Sequence, residues 1–210
     1  MTEQGAILLG HYNYFLVVVS VCIAMLSAYA ALDLAERVTS AKGNARLLWL
    51  SCGATAMGTG IWSMHYIAML AFQLPVVVKY DWPTVLLSLL AAIVASGIGL
   101  FCVSREKMGL PVAIVGSIFM GSGIAAMHYI GMDAMRLPAM CSYSNLLVTA
   151  SVVAAIVISF VALWRVFALR SVENLGHKMV NALILGAAIP VTHYVGMARP
   201  LRAQFPKIRL

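Results

Sequence analysis

Long apolar runs separated by short polar segments dominate the chain. They cover residues 12–34, 47–71, 84–103, 111–132, 145–165 and 179–197. A helix needs about 20 apolar residues to cross a bilayer, and each run is long enough or nearly so. The pattern therefore predicts an all-α, polytopic transmembrane bundle of six helices. The first run has no basic segment before it and is too long for the core of a signal peptide.

Composition agrees. Of the 210 residues, 62% are hydrophobic and only 10% charged, and the mean hydropathy is +0.94. Soluble domains carry about a quarter charged residues, so the chain reads as an integral membrane protein with the lipid bilayer as its main partner. The net charge of +7 would suggest nucleic acid in a soluble protein. Here it reads as topology, and no nucleic-acid partner is expected. Arg37, Lys42, Arg46, Arg105, Lys107, Arg165, Arg170 and Lys178 fall in the loops on one side, against Lys79 and Arg136 on the other. The positive-inside rule then puts the N-terminus outside. The tail 198–210 breaks the rule, since six spans leave Arg199, Arg202, Lys207 and Arg209 outside as well. A further, seventh helix beyond the tail would resolve the conflict. Cys22, Cys52, Cys102 and Cys141 form no CxxC pair and imply no disulfide framework.

One motif returns three times. IWSMHYIAML (61–70), IAAMHYIGMD (124–133) and IPVTHYVGMA (189–198) each contain a His-Tyr pair. The histidines are 63 and 65 residues apart, so the chain is one membrane domain of three helix hairpins, roughly 12–71, 84–132 and 145–197. Counted from the helix starts at 1.5 Å per residue, all three imidazoles lie near the outer boundary of the hydrocarbon. Each His is followed four residues later by a Met (Met69, Met132, Met197), on the same helix face. Seven residues before each His stands a glycine (Gly58, Gly121, Gly186), two turns down that face. Small residues let membrane helices approach closely, so this face should point into the bundle. Pro190, three residues before His193, should kink the last helix.

Polar groups are costly in hydrocarbon, and three on inward faces at one depth point to a site. Imidazole suits copper, zinc, iron and nickel, while thioether sulfur selects soft ions, above all Cu(I). Zinc sites generally use thiolate, imidazole or carboxylate, and neither thiol nor acid recurs in the repeats. Copper, as Cu(I) or Cu(II), ranks first, held by His65, His128, His193, Met69, Met132 and Met197. Haem ranks second, because His and Met both serve as its axial ligands. Accessory candidates are Met64 and Met127 (Thr192 stands in the third repeat), His11 beside Tyr12, and the motif tyrosines Tyr66, Tyr129 and Tyr194. The outer segment 131–143 adds Met135, Met140 and Cys141. Trp62, Tyr80 and Trp82 read as an interfacial aromatic belt. Asp33 reads as a helix-end charge and His177 as a solvated inner-loop residue.

MHYI (64–67), MHYI (127–130) and THYV (192–195), each with its i+4 Met, resemble the motifs of the MHYT family of bacterial integral membrane sensors. The stretch 12–38, including Asp33, is similar to that family's first helix. The resemblance covers essentially the whole chain. It implies a sensory input domain in the cytoplasmic membrane, binding copper through the motif residues and detecting a diatomic gas (O2, CO or NO) or redox state. It also implies cytoplasmic signalling domains that turn over cyclic di-GMP, in the same chain or a partner. These 210 residues hold nothing able to do that chemistry, so the chain itself is not an enzyme. A homodimer is a further candidate assembly. The motifs depart from the family pattern in ending in Ile, Ile and Val rather than Thr, and the third begins with Thr.

Two other functions compete. A copper transporter or capture protein would use the Met-rich outer segment. It should also repeat ligands through the membrane depth, where the inner halves offer little beyond Cys52, Met57 and Met120. A haem or copper redox protein would use the motif tyrosines as electron carriers.

Overall fold

The computed structural model describes residues 7–8, 10–136, 145–169, 175–197 and 201–202. Six long helices carry the chain: α1 (Tyr14–Ser40), α2 (Gly43–Ala71), α3 (Trp82–Val103), α4 (Leu110–Asp133), α5 (Asn145–Leu169) and α6 (Leu175–Met197). Each of α2 to α6 contains one of the apolar runs, and α1 holds all of the first run but residues 12 and 13; most extend past it. α1 continues six residues beyond the run because Asp33, Glu36 and Arg37 are compatible with helix yet end the apolar signal. Local chemistry sets several starts. The Asn13 side chain accepts from the Phe15 and Leu16 N–H groups, and Asp81 accepts from the Thr84 N–H, the usual work of an N-cap. Pro83 and Pro111 occupy first-turn positions of α3 and α4, where the missing N–H costs nothing. Gly43, at φ +54°, makes the sharp turn from α1 into α2. α6 runs through the buried Pro190 as one element.

Among the described residues, α1, α3, α4 and residues Val148–Leu169 of α5 are long and apolar enough to cross a membrane. α2, of 29 residues, is the least apolar of the six and carries the first His-Tyr pair. The bundle buries several hydroxyls among its apolar core and is apolar outside. Ser20, Ser88, Ser96, Ser117 and Ser159 are buried. Leu86, Leu90 and Val94 of α3, and Val153, Val157 and Val161 of α5, are exposed at helical spacing. A soluble surface rarely shows such stripes, whereas lipid solvates them. Buried Cys102 packs as a small hydrophobe, and Cys22 and Cys52 are exposed free thiols. Cys141 and Met140 lie outside the described residues.

Three two-residue antiparallel ribbons join the helix ends. β2 (His11–Tyr12) pairs with β3 (Phe72–Gln73), and β4 (Lys79–Tyr80) with β5 (Met135–Arg136). β1 (Ile7–Leu8) pairs with β6 (Leu201–Arg202), which brings that part of the tail to the N-terminal end of the bundle. At the opposite end, Lys178 at the start of α6 bonds Asp33 (3.3 Å) and Glu36 (3.1 Å) of α1, and Arg37 bonds Asp33 at 2.7 Å. Asp33 is thus part of an interhelical ion cluster, more than a simple helix-end charge.

The helices form a closed ring in which α1 meets both α2 and α6. Three glycines show how tightly it is drawn. A Cβ placed on Gly58 of α2 would lie 2.5 Å from the Ile93 Cα of α3, and one on Gly121 of α4 would lie 2.6 Å from the Ile156 Cα of α5. A Cβ on Gly186 of α6 would collide in the same way with Met25 Cα of α1. The obstacle is backbone each time, so nothing can swing aside. We expect Gly58→Ala, Gly121→Ala and Gly186→Ala each to destabilise the bundle by about 1–3 kcal/mol, as overpacking does. Gly97→Ala, whose new Cβ would meet only the Ala54 Cβ at 3.4 Å, should be neutral or slightly stabilising; thermal unfolding in detergent compares the four.

Candidate metal centre

His65 of α2, His128 of α4 and His193 of α6 meet inside the bundle, as the shared depth and inward glycines predicted. Their potential ligand atoms all lie within 4.8 Å of one another. Nδ1 of His65 is 3.2 Å from Nδ1 of His193 and 3.3 Å from Nδ1 of His128. Ring centroids are 4.8, 5.0 and 5.5 Å apart, and the rings stand edge to face. His65 and His193 are buried and His128 is half-buried.

Hydrogen bonding alone does not account for this arrangement. A neutral imidazole Nδ1 carries either one proton or one lone pair. Facing two other Nδ1 atoms, His65 can make one sound hydrogen bond, and its second contact sets a nitrogen against another without a proton to share. Three lone pairs converging on a cation remove the conflict. Nitrogen ligands lie about 2.0–2.1 Å from a bound metal, which puts neighbouring ligands about 3.3–3.6 Å apart. The 3.3 Å separation lies at the lower edge of that range and the 3.2 Å one just below it. The donor set therefore fits a metal ion. The Nε2 atoms of His65 and His193 are buried without hydrogen-bond partners, whereas metal-binding histidines usually donate that proton to an acceptor.

Packing orients the rings instead. Each imidazole stands edge-on to the tyrosine that follows it, at 5.6 Å for Tyr66, 5.1 Å for Tyr129 and 5.4 Å for Tyr194. Each tyrosine is pinned by a serine on another helix. Ser20, Ser88 and Ser151 give their hydroxyl protons to the carbonyls of Val17, Val85 and Val148, three residues back. The tyrosine hydroxyls must then be the donors: Tyr194 to Ser20 at 2.8 Å, Tyr66 to Ser88 at 3.3 Å, and Tyr129 to Ser151. Ser88 also accepts from the Trp62 indole at 3.0 Å. Trp62 is thus tied inward, unlike the exposed Trp82 with which it was grouped in the aromatic belt.

These serines escaped sequence reasoning, since a lone Ser in an apolar run carries no chemistry. A signal was present, because Ser88 and Ser151 each stand 22 residues after their tyrosine and three after a valine. Gly131 was missed too: a Cβ there would lie 2.8 Å from Nε2 of His65. The remaining candidates separate. Met69 and Met132 are buried one turn beyond their histidines, while the side chain of Met197 lies outside the described ones. Met64 is buried, and Met127 packs in a core cluster with Ile61 and Ala92. His11 is exposed in β2 and is not one of the three converging histidines. Its neighbour Tyr12 packs against Phe72 and Tyr194.

Residues 58–116 and 121–175 match the family MHYT, described as the bacterial signalling protein N terminal repeat. The chain belongs to the MHYT family. Each matched repeat begins at one of the tightly packed glycines, Gly58 or Gly121, and runs through the following odd-numbered helix. That is the helix to which the glycine and tyrosine dock. The chain is 45% identical over 201 residues to the bifunctional diguanylate cyclase/cyclic di-GMP phosphodiesterase MucR of Pseudomonas aeruginosa, covering 95% of this chain and 29% of that protein. It is 40% identical over 190 residues to the cyclic di-GMP phosphodiesterase NbdA of the same organism, covering 89% and 24%. It is 35% identical over 200 residues to the signaling protein YkoW of Bacillus subtilis, covering 93% and 24%. The chain thus spans about a quarter of the length of these relatives. No solved structure matches it. The family is a signalling one, and of these relatives MucR and NbdA carry the names of cyclic di-GMP enzymes.

Two outcomes test the geometry. Tyr194→Phe and Ser20→Ala should each cost about 1 kcal/mol of stability, with a double-mutant cycle showing that the losses are not additive. Gly131→Ala should leave the fold intact, because Ala favours helix by about 1 kcal/mol. It should nevertheless displace the His65 ring, seen as a change in the imidazole nitrogen resonances.

Proposed function

We propose that this chain is the membrane-embedded input domain of a signalling protein and holds one copper ion near one membrane face, through the Nδ1 atoms of His65, His128 and His193. The observation that carries this reading is the gathering of three imidazoles, with the Nδ1 atoms of His128 and His193 both close to that of His65 and one potential ligand atom from each ring within 4.8 Å of the others. Met69 and Met132 are buried one helical turn from their histidines, with Met197 the equivalent position in the third repeat; thioether, where it reaches the ion, favours copper over zinc. When bound, the ion supplies an open position at which a diatomic gas (O2, CO or NO), or a change of redox state, can be registered.

The chain's own residues do the rest. The rings bind, the tyrosine–serine pairs orient them, and the apolar walls exclude water. Because the rings ride on three helices, a change in their separation is a change in helix spacing. α6 carries His193 near one end and Lys178, ion-paired to α1, at the other. That helix is the natural route from the site toward cytoplasmic domains. The names of MucR and NbdA support cyclic di-GMP turnover as the output. The bacterial inner membrane is then the location, with the N-terminus outside.

Haem is disfavoured by the same geometry, since three imidazoles with centroids about 5 Å apart leave no slot for a macrocycle. Transport is disfavoured because the space inward of the histidines is lined by apolar groups, with no ladder of ligands among the described residues.

Purified protein should hold about one copper per chain, with hyperfine coupling to imidazole nitrogen in the Cu(II) form. His65→Ala, His128→Ala and His193→Ala should each weaken binding at least about tenfold, the scale set by losing even an outer partner of a ligand. Full copper retention in all three variants would overturn the reading.

A further inference from the structure

A closed ring of six touching helices is hollow unless large side chains fill it. Here the imidazoles fill one level, and the level below stays open. A cavity of about 200 Å³ lies there, lined from every helix by Ala31, Ile61, Leu100, Met120, Leu163 and Ile189, and partly open beside the exposed Val161 of α5. Ile61 and Ile189 stand one helical turn from His65 and His193, so the cavity adjoins the level of the imidazole cluster. At three helix pairs the glycine contacts already set helix against helix backbone, so the ring cannot tighten there to fill it.

The cavity is built to stay dry. Among the described residues its one lining hydroxyl, Ser27, donates to the Ile23 carbonyl at 2.8 Å. A buried water needs two to four polar partners, and apolar cavities of about 150 Å³ remain empty of water yet admit benzene or xenon. A small apolar molecule dissolved in bilayer hydrocarbon loses nothing on entering such a space, and it need not cross a polar barrier.

We infer that this cavity is a binding site for a small apolar guest, of the size of a diatomic gas or a noble-gas atom, held one helical turn from the histidine cluster. Only the guest's role rests on the proposed function: the site would concentrate gas from the hydrocarbon beside the centre that registers it. Its existence depends on the six walls alone.

Xenon is the probe, because it occupies apolar space and has no affinity for imidazole nitrogen. Purified full-length chain equilibrated with xenon should show one bound atom in the cavity, by xenon exchange in magnetic resonance or by diffraction under xenon pressure. Ala31→Leu and Ala162→Leu, which add bulk to the walls, should each weaken xenon binding at least tenfold while thermal unfolding shows that the fold persists. His65→Ala should keep the xenon site. The inference is overturned if the wild type binds no xenon, if both filled variants fold and bind it unchanged, or if the space holds water or a lipid acyl chain. Xenon bound in a protein that takes up no copper would uphold the cavity and remove its role at a metal, so the two readings fail separately.

Discussion

A nitrogen base placed in hydrocarbon must be answered by another group of the protein, because no water is there to do it. This chain places three such bases at one level, on three helices, and answers them chiefly with one another. The bundle can be understood from that constraint. The helices that carry imidazole turn their polar, glycine-containing faces inward. The helices without it, α1, α3 and α5, contribute the serines and the outward apolar stripes.

The same link is made three times. Each imidazole helix presses a glycine onto the backbone of the next odd-numbered helix, and a tyrosine eight residues along gives its proton to a serine five residues before that contact. Gly58–Ile93 with Tyr66–Ser88 is repeated as Gly121–Ile156 with Tyr129–Ser151. Gly186–Met25 with Tyr194–Ser20 then joins α6 to α1 and closes the ring. Close backbone approach supplies dispersion contact, the main attraction available between helices in lipid. The hydroxyl pair fixes rotation and depth. Each imidazole is then held between its own tyrosine and its two counterparts, which explains how the rings stay oriented although two Nε2 atoms have no acceptor.

The threefold symmetry is broken at α6. α6 differs from its counterparts in carrying Pro190 near the histidine and an ion pair to α1 at the far end. Under the proposed function, this helix is the route from the cluster to the opposite end of the bundle. The dry cavity beneath the cluster is a consequence of the ring itself, since small residues bring the helices into contact without filling the axis.

The six helices, the threefold motif, the common level of the histidines and the inward direction of their faces were legible in the chain alone. Hydropathy, spacing and the reach of a helical turn are local properties, so no folded partner is needed to read them. The helix ends past the apolar runs were less legible, because charged residues such as Glu36 and Arg37 end a hydropathy signal without ending a helix. The two-residue ribbons left no periodic trace at all. Tertiary structure alone decided that Nδ1 is the nitrogen each ring turns inward, that His11 stays outside, that Trp62 bonds inward, and that Ser20, Ser88 and Ser151 pin the tyrosines. Each of those facts is a distance between residues on different helices, and such distances exist only once the ring has closed.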